Sequence, residues 1–142
     1  MLKNPNVTKC LDEAIRLYRQ SEEKCCKSVN YNIAKSQYEK ALWLVDSLNG
    51  EQDEMAPSQR RLYFQSRKDL ILECLAESEI REKQHQKMFN DKLSSKLHYH
   101  LVYVHNLFAR CNLLRAKLFA ALEDEVEALR HIVNAKTNLS HG

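Results

Sequence analysis

The chain of 142 residues holds only two glycines and two prolines, too few to punctuate the many short turns of a β-sandwich or barrel. Long, seldom interrupted helices are therefore the default. No apolar run reaches the length of about 18 residues that would read as a membrane span, and Met1 to Val7 carry asparagines and a proline where a secretory leader would place a basic stretch and an apolar core. No C-x-x-C unit occurs: Cys10, Cys25, Cys26, Cys74 and Cys111 form an odd set in a chain large enough to fold without staples, which points to a reducing compartment, cytosol or nucleus. No block of one charge sign occurs either. Lys and Arg number 8 against 6 acids over residues 1–50, 7 against 8 over 51–90 and 7 against 5 over 91–142, so the net charge of +3 belongs to no one segment. That dispersion argues against a nucleic-acid footprint. A glycine-rich elbow, a phosphate loop and an acid–base pair in a marked turn are all missing, so no enzyme chemistry and no cofactor are expected.

What is present is 44% hydrophobic and 29% charged residues, the composition of one globular domain spanning residues 1–142; a chain of this size buries roughly 68–70% of its unfolded surface. Helical periodicity runs through it. Val7, Leu11, Ala14, Tyr18, Cys25 and Val29 follow steps of three, four and seven, predicting a first helix from Val7 to Ser28. Asn30 caps a second, with Tyr31, Ala34, Tyr38, Ala41, Leu42, Val45 and Leu48 on one face and Asn49-Gly50 as its stop, so residues 7–48 make a front hairpin. Pro57 sits where a first helical turn tolerates a missing N–H. A third helix then fills residues 58–89, its apolar positions Leu62, Tyr63, Leu70, Ile71, Cys74 and Leu75. Its continuation from Glu77 to Lys87 is almost wholly charged or amide and predicts a tail in solvent. A rear hairpin over residues 92–139 follows Asn90-Asp91, with the strongest apolar run (Leu93, Leu97, Leu101, Val104, Phe108, Cys111, Leu114, Leu118, Leu122). Asp124 and Glu127 have the form of a capping box that opens a fifth helix through Ala128, Ile132 and Ala135. The fold class is all-α: about five helices in antiparallel hairpins.

Small and aromatic residues recur at hairpin spacing, and this carries a resemblance to the tetratricopeptide repeat, a helical hairpin of about 34 residues. Tyr31, Ala34, Tyr38 and Ala41 stand where that family favours aromatic, alanine, aromatic and alanine; Ala116, Phe119, Ala128, Ile132 and Ala135 repeat the idea at the rear. Glu22, Cys25 and Glu125 depart from the pattern. The first 75 residues also resemble the MIT domain, a three-helix bundle, through Asn30-Tyr31 with Ala34 and through Tyr38-Glu39-Lys40-Ala41-Leu42. A weaker likeness is to the MIT-like C-terminal region of autophagy-initiating kinases. These resemblances imply a right-handed helical array or bundle that binds short segments of other proteins, in the MIT case tails of membrane-remodelling and autophagy proteins.

On that pattern the inner positions of the first helix of each hairpin are Arg16, Arg19, Gln20 and Lys27 in front and Arg110 and Lys117 behind. Most are basic, which suits an acidic peptide or a chain-terminal carboxylate; an ordinary solvated face would look the same. Trp43, off the main stripe of its helix, either packs against the third or fourth helix or, with Ile33 and Leu44, anchors a partner helix. His98, His100 and His105 lie close in sequence, but an i, i+2 pair points about 200° apart on a helix, so no metal site is expected. Glu82 and His85 form one unduplicated Glu-x-x-His, which reads as a solvated face. Cys111 reads as core. The function expected is a non-enzymatic adaptor or scaffold that recruits a peptide or amphipathic helix of a partner protein. The alternatives are a self-assembling structural subunit, acting as a homodimer or within a larger complex, and an MIT-type module in autophagy or membrane trafficking.

Overall fold

A computed structural model describes residues 6–22, 29–46, 56–90 and 97–140, with side chains described throughout these except at 6, 89, 90 and 97–104. Five helices account for them: α1 (Asn6–Glu22), α2 (Val29–Asp46), α3 (Pro57–Asn90), α4 (Leu97–Ala121) and α5 (Glu125–Ser140). The expected extension of the first helix through Ser28, with Lys27 and the Cys25-Cys26 pair, lies outside the described residues. So do the stop at Asn49-Gly50 and the start of the fourth helix before Leu97.

Each helix runs antiparallel to the next. Lys40 of α2 meets Asp12 of α1 at 2.6 Å, Ser78 of α3 reaches Ala34 of α2, Arg115 of α4 clasps Glu79 of α3, and Asn138 of α5 meets Asn112 of α4. The odd step is that α2 and α4, parallel to each other, both pack on α3. The core lies between these three: Ala41, Leu44 and Val45 from α2, Phe64, Ile71, Cys74 and Leu75 from α3, and Leu107, Cys111, Leu114, Leu118 and Phe119 from α4. Flanking this core, α1 covers α2 and α5 covers α4. Ala34, Ala41, Ala116, Ala128 and Ala135 are all buried, which is what close approach at a helix crossing demands of them.

Local chemistry sets the ends. Pro57 begins α3 without an N–H to leave orphaned, and the Ala56 carbonyl accepts from Gln59 and Arg60 N–H at 3.0 and 3.1 Å. At the end of α4, Asp124 N–H reaches the Phe119 carbonyl at 2.8 Å and Glu123 N–H that of Ala120 at 3.0 Å, with Glu123 in the left-handed region at φ 62°. This is a Schellman motif with glutamate where glycine is usual. Asp124 then caps α5 by accepting from Glu127 N–H at 3.1 Å. The expected capping box is half made: Asp124 N–H is already used by Phe119, and the Glu127 carboxylate turns to Arg130 instead.

Two expectations need correction. The third helix does not bury Leu62 and Leu70, which are exposed; it buries Phe64, Ile71, Cys74, Leu75 and Ser78. Nor is its polar continuation a tail in solvent. Ser78, Glu82 and Gln86 are 0%, 3% and 7% exposed, a buried stripe at intervals of four. The Ser78 hydroxyl donates to the Ala34 carbonyl at 2.7 Å, so a small polar side chain satisfies itself on the neighbouring backbone while the helices come close. Burial pushes the Glu82 carboxyl above the usual carboxylate range.

Candidate functional site

The outward stripe of α4, at Arg110, Leu113, Lys117 and Ala120, follows helical steps of three and four and floors a groove of about 390 Å³. Tyr38 and Leu42 of α2 form one wall, Ala128 and Ile132 of α5 the other. The small residues make the space: alanines at 116, 120 and 128 leave room that longer side chains would fill. Leu113 and Ile132 are exposed apolar groups, so among the described residues the groove offers contact area without a covering element.

Two cations border this apolar floor. The Arg110 guanidinium lies 5.0 Å from the centre of the Tyr38 ring, a cation–π contact that holds it at the α2 wall; among the described residues it forms no ion pair. Burial pushes the Tyr38 phenol up although Arg110 pulls it down, so the ring stays neutral. Lys117, two helical turns further on, stands 3.6 Å from Asp46 in a solvent-exposed pair, which is weak enough to exchange.

The α5 wall is fixed from behind. Arg115 holds Glu79 through two hydrogen bonds of 2.5 and 2.9 Å and donates to the Asn112 side chain at 3.1 Å. Asn112 donates in turn to Asn138 at 2.8 Å, and its side-chain oxygen lies 3.4 Å from His131 Nδ1. His131 stacks on Phe119 with centroids 5.5 Å apart and planes 11° from parallel. Burial, then the charges of Arg115 and Arg130, hold its imidazole below the ordinary histidine range. The network ties α3, α4 and α5 together and sets the wall's position.

The structure separates the sequence-predicted basic residues into two places. Arg110 and Lys117 share the groove. Arg16 and Gln20 are exposed on α1, with Arg16 paired to Glu13 one turn back. Arg19 reaches across to α3, where it clasps Glu77 at 2.5 and 3.0 Å. Burial would raise the Glu77 carboxyl, but Arg19, Gln37 and Arg81 together hold it below the usual range, so Arg19 is engaged inside the molecule. Trp43 is half-buried, one turn past Lys40 on the flank of α2 that faces α1, and its indole N–H has no hydrogen-bond partner among the described residues. Ile33 and Leu44 are buried, at 0% and 5% exposure, so they are not free to share an exposed anchor surface with Trp43. Sequence reasoning also missed Tyr38, Leu113 and Ile132 as groove residues. The repeat of Arg110, Leu113, Lys117 and Ala120 was the available signal.

Among the described residues no group of three His, Cys, Asp or Glu side chains is placed to hold a metal ion, and no helix is long and apolar enough to cross a membrane. Cys74 and Cys111 are free and buried, their thiols pushed up to about 11 and about 12 by burial. That leaves them in the unreactive thiol form. The architecture defines an all-helical array of antiparallel hairpins. Family models, curated proteins and solved structures yield no significant match to the chain.

Proposed function

We propose that the protein is a non-enzymatic adaptor or scaffold domain whose α2–α4–α5 groove receives an amphipathic segment of a partner protein, with acidic side chains of that segment facing Arg110 and Lys117. The observation that carries this reading is the groove itself: an apolar floor between two wall helices, uncovered among the described residues and bordered by two cations seven residues apart on α4. Apolar anchors would supply most of the affinity, and the cations would steer the encounter and fix orientation. Buried, unpaired Cys74 and Cys111 support a cytosolic or nuclear setting. The resemblance of Tyr31, Ala34, Tyr38 and Ala41 to MIT and tetratricopeptide hairpins supports the same class of function, with autophagy or membrane trafficking as the setting the MIT likeness favours.

Affinity capture with mass spectrometry tests the proposal. The parent is compared with Arg110→Glu/Lys117→Glu in the groove and with Arg16→Glu on α1. A partner lost only from the groove variant supports the assignment. A partner lost only with Arg16→Glu moves the site to α1, and turnover of a small molecule dependent on any of these side chains would end the adaptor reading.

A further inference from the structure

Helix α5 is turned inside out. Its buried face is Ala128, His131 and Ala135, whereas Val126, Leu129 and Val133 are 77%, 62% and 53% exposed, with Ile132 and Leu139 also uncovered. An amphipathic helix ordinarily directs its branched side chains at the core; here the alanines face α4 for close approach, and the large apolar residues face away.

The outward residues follow a seam. Glu125, Leu129, Ile132, Lys136 and Leu139 are spaced four, three, four and three, the repeat of the contact positions in a two-helix coiled coil, with Val126 and Val133 widening it on one side. Both charged members of the seam, Glu125 and Lys136, are exposed, and neither forms an ion pair among the described residues. They lie three turns apart, one at each end of the Leu129/Ile132 pair.

From this self-complementary pattern we infer that the outer face of α5 docks antiparallel on the same face of a second copy, forming a two-fold homodimer. One register satisfies the four central seam positions together, leaving Leu139 beyond the end of the second copy's helix. Setting Leu129 opposite Ile132 of the second copy also sets Glu125 opposite Lys136 of the second copy, and the two-fold axis repeats both pairs, as an isologous contact requires. Val126 then lies beside Val133 of the second copy. A parallel arrangement would instead place Glu125 on Glu125 and Lys136 on Lys136, like charges against like, so the charges select the antiparallel form. A partner helix of one charge sign would satisfy only one end of the seam. A lipid surface would draw the Glu125 carboxylate into the apolar sector that inserts among acyl chains, where it costs affinity. The seam is distinct from the groove's cations, although Ile132 borders both, so the two proposals fail separately.

Sedimentation equilibrium over a dilution series, without any partner, tests the dimer. The parent should show a reversible monomer–dimer equilibrium. Glu125→Lys and Lys136→Glu should each raise the dissociation constant about tenfold or more, since each puts like charges together twice. Mixing these two variants should restore association as a heterodimer: the introduced lysine of one chain meets the introduced glutamate of the other, and the native Glu125 and Lys136 meet in the second pair. The double exchange in one chain should likewise restore a homodimer. Circular dichroism guards against unfolding, and both side chains are exposed. A parent that stays monomeric, a dimer indifferent to either reversal, reversals that do not complement, or a Val133→Glu variant that loses a different protein while the parent remains monomeric would each overturn the inference.

Discussion

The two outer helices are attached in opposite ways. Among the described residues of α1 only Ile15 is buried, and the helix is tied down by charge: Asp12 to Lys40, Arg19 to Glu77, and Glu22 to Arg81. Helix α5 is held by close approach of alanines to α4 and by the His131, Asn112 and Asn138 contacts behind them. Partly exposed ion pairs are screened by water and salt and are worth up to about 1 kcal/mol each. Packing at an alanine crossing and hydrogen bonds in a low-dielectric interior are not screened in that way. The front hairpin should therefore loosen through solution conditions, and the rear hairpin only through changes of shape or protonation.

The comparison can be broken at its strongest point first. Leu118, fully buried where α4 faces the core, should cost about 2–5 kcal/mol when cut to alanine, read as a lower denaturant midpoint with both hairpins unfolding together; a loss confined to α1 would reverse the ranking. Next in size, Glu123→Gly should stabilise the chain by about 1 kcal/mol in thermal melts, because the residue already occupies the left-handed region and only glycine does so without a Cβ conflict. A melting temperature that falls would show that the glutamate itself holds the turn.

A smaller effect belongs to pH. Burial and the neighbouring arginines hold the His131 imidazole below the ordinary histidine range in the folded protein, so the unfolded chain binds more protons as pH falls through that range, and stability present at neutral pH is lost as pH falls through it toward the folded-state value. His131→Gln should flatten that slope; an unchanged slope would assign it elsewhere. Glu82 works against it, since its raised carboxyl favours the folded state on acidification. The smallest effect is on α1. At about 1 M salt, where screening acts over about 3 Å, amide exchange in α1 should quicken while α4 stays protected. Equal protection in both would mean that charge does not hold α1.

Legibility in the sequence followed the same division. Helix positions, the Asp124 cap and the core role of Cys111 were readable because they depend on near neighbours or on a periodic apolar face. The stripe of Ser78, Glu82 and Gln86 was not, since polar composition ordinarily marks a solvated surface and only the approach of α2 and α4 covers it. Arg110 and Lys117 belonged together as read, but their separation from Arg16 and Arg19 arises because α4 packs on α3 and α2 whereas α1 packs on α2, a placement no local pattern records.

By itself the sequence determined five helices, their order and the alanines at their crossings, because backbone hydrogen bonding and side-chain volume act locally. Which side of α5 faces inward, which cations share a groove and which carboxylate is buried were decided by tertiary packing. Those properties depend on neighbours dozens of residues away, and a periodic pattern on one helix records a face without saying what covers it.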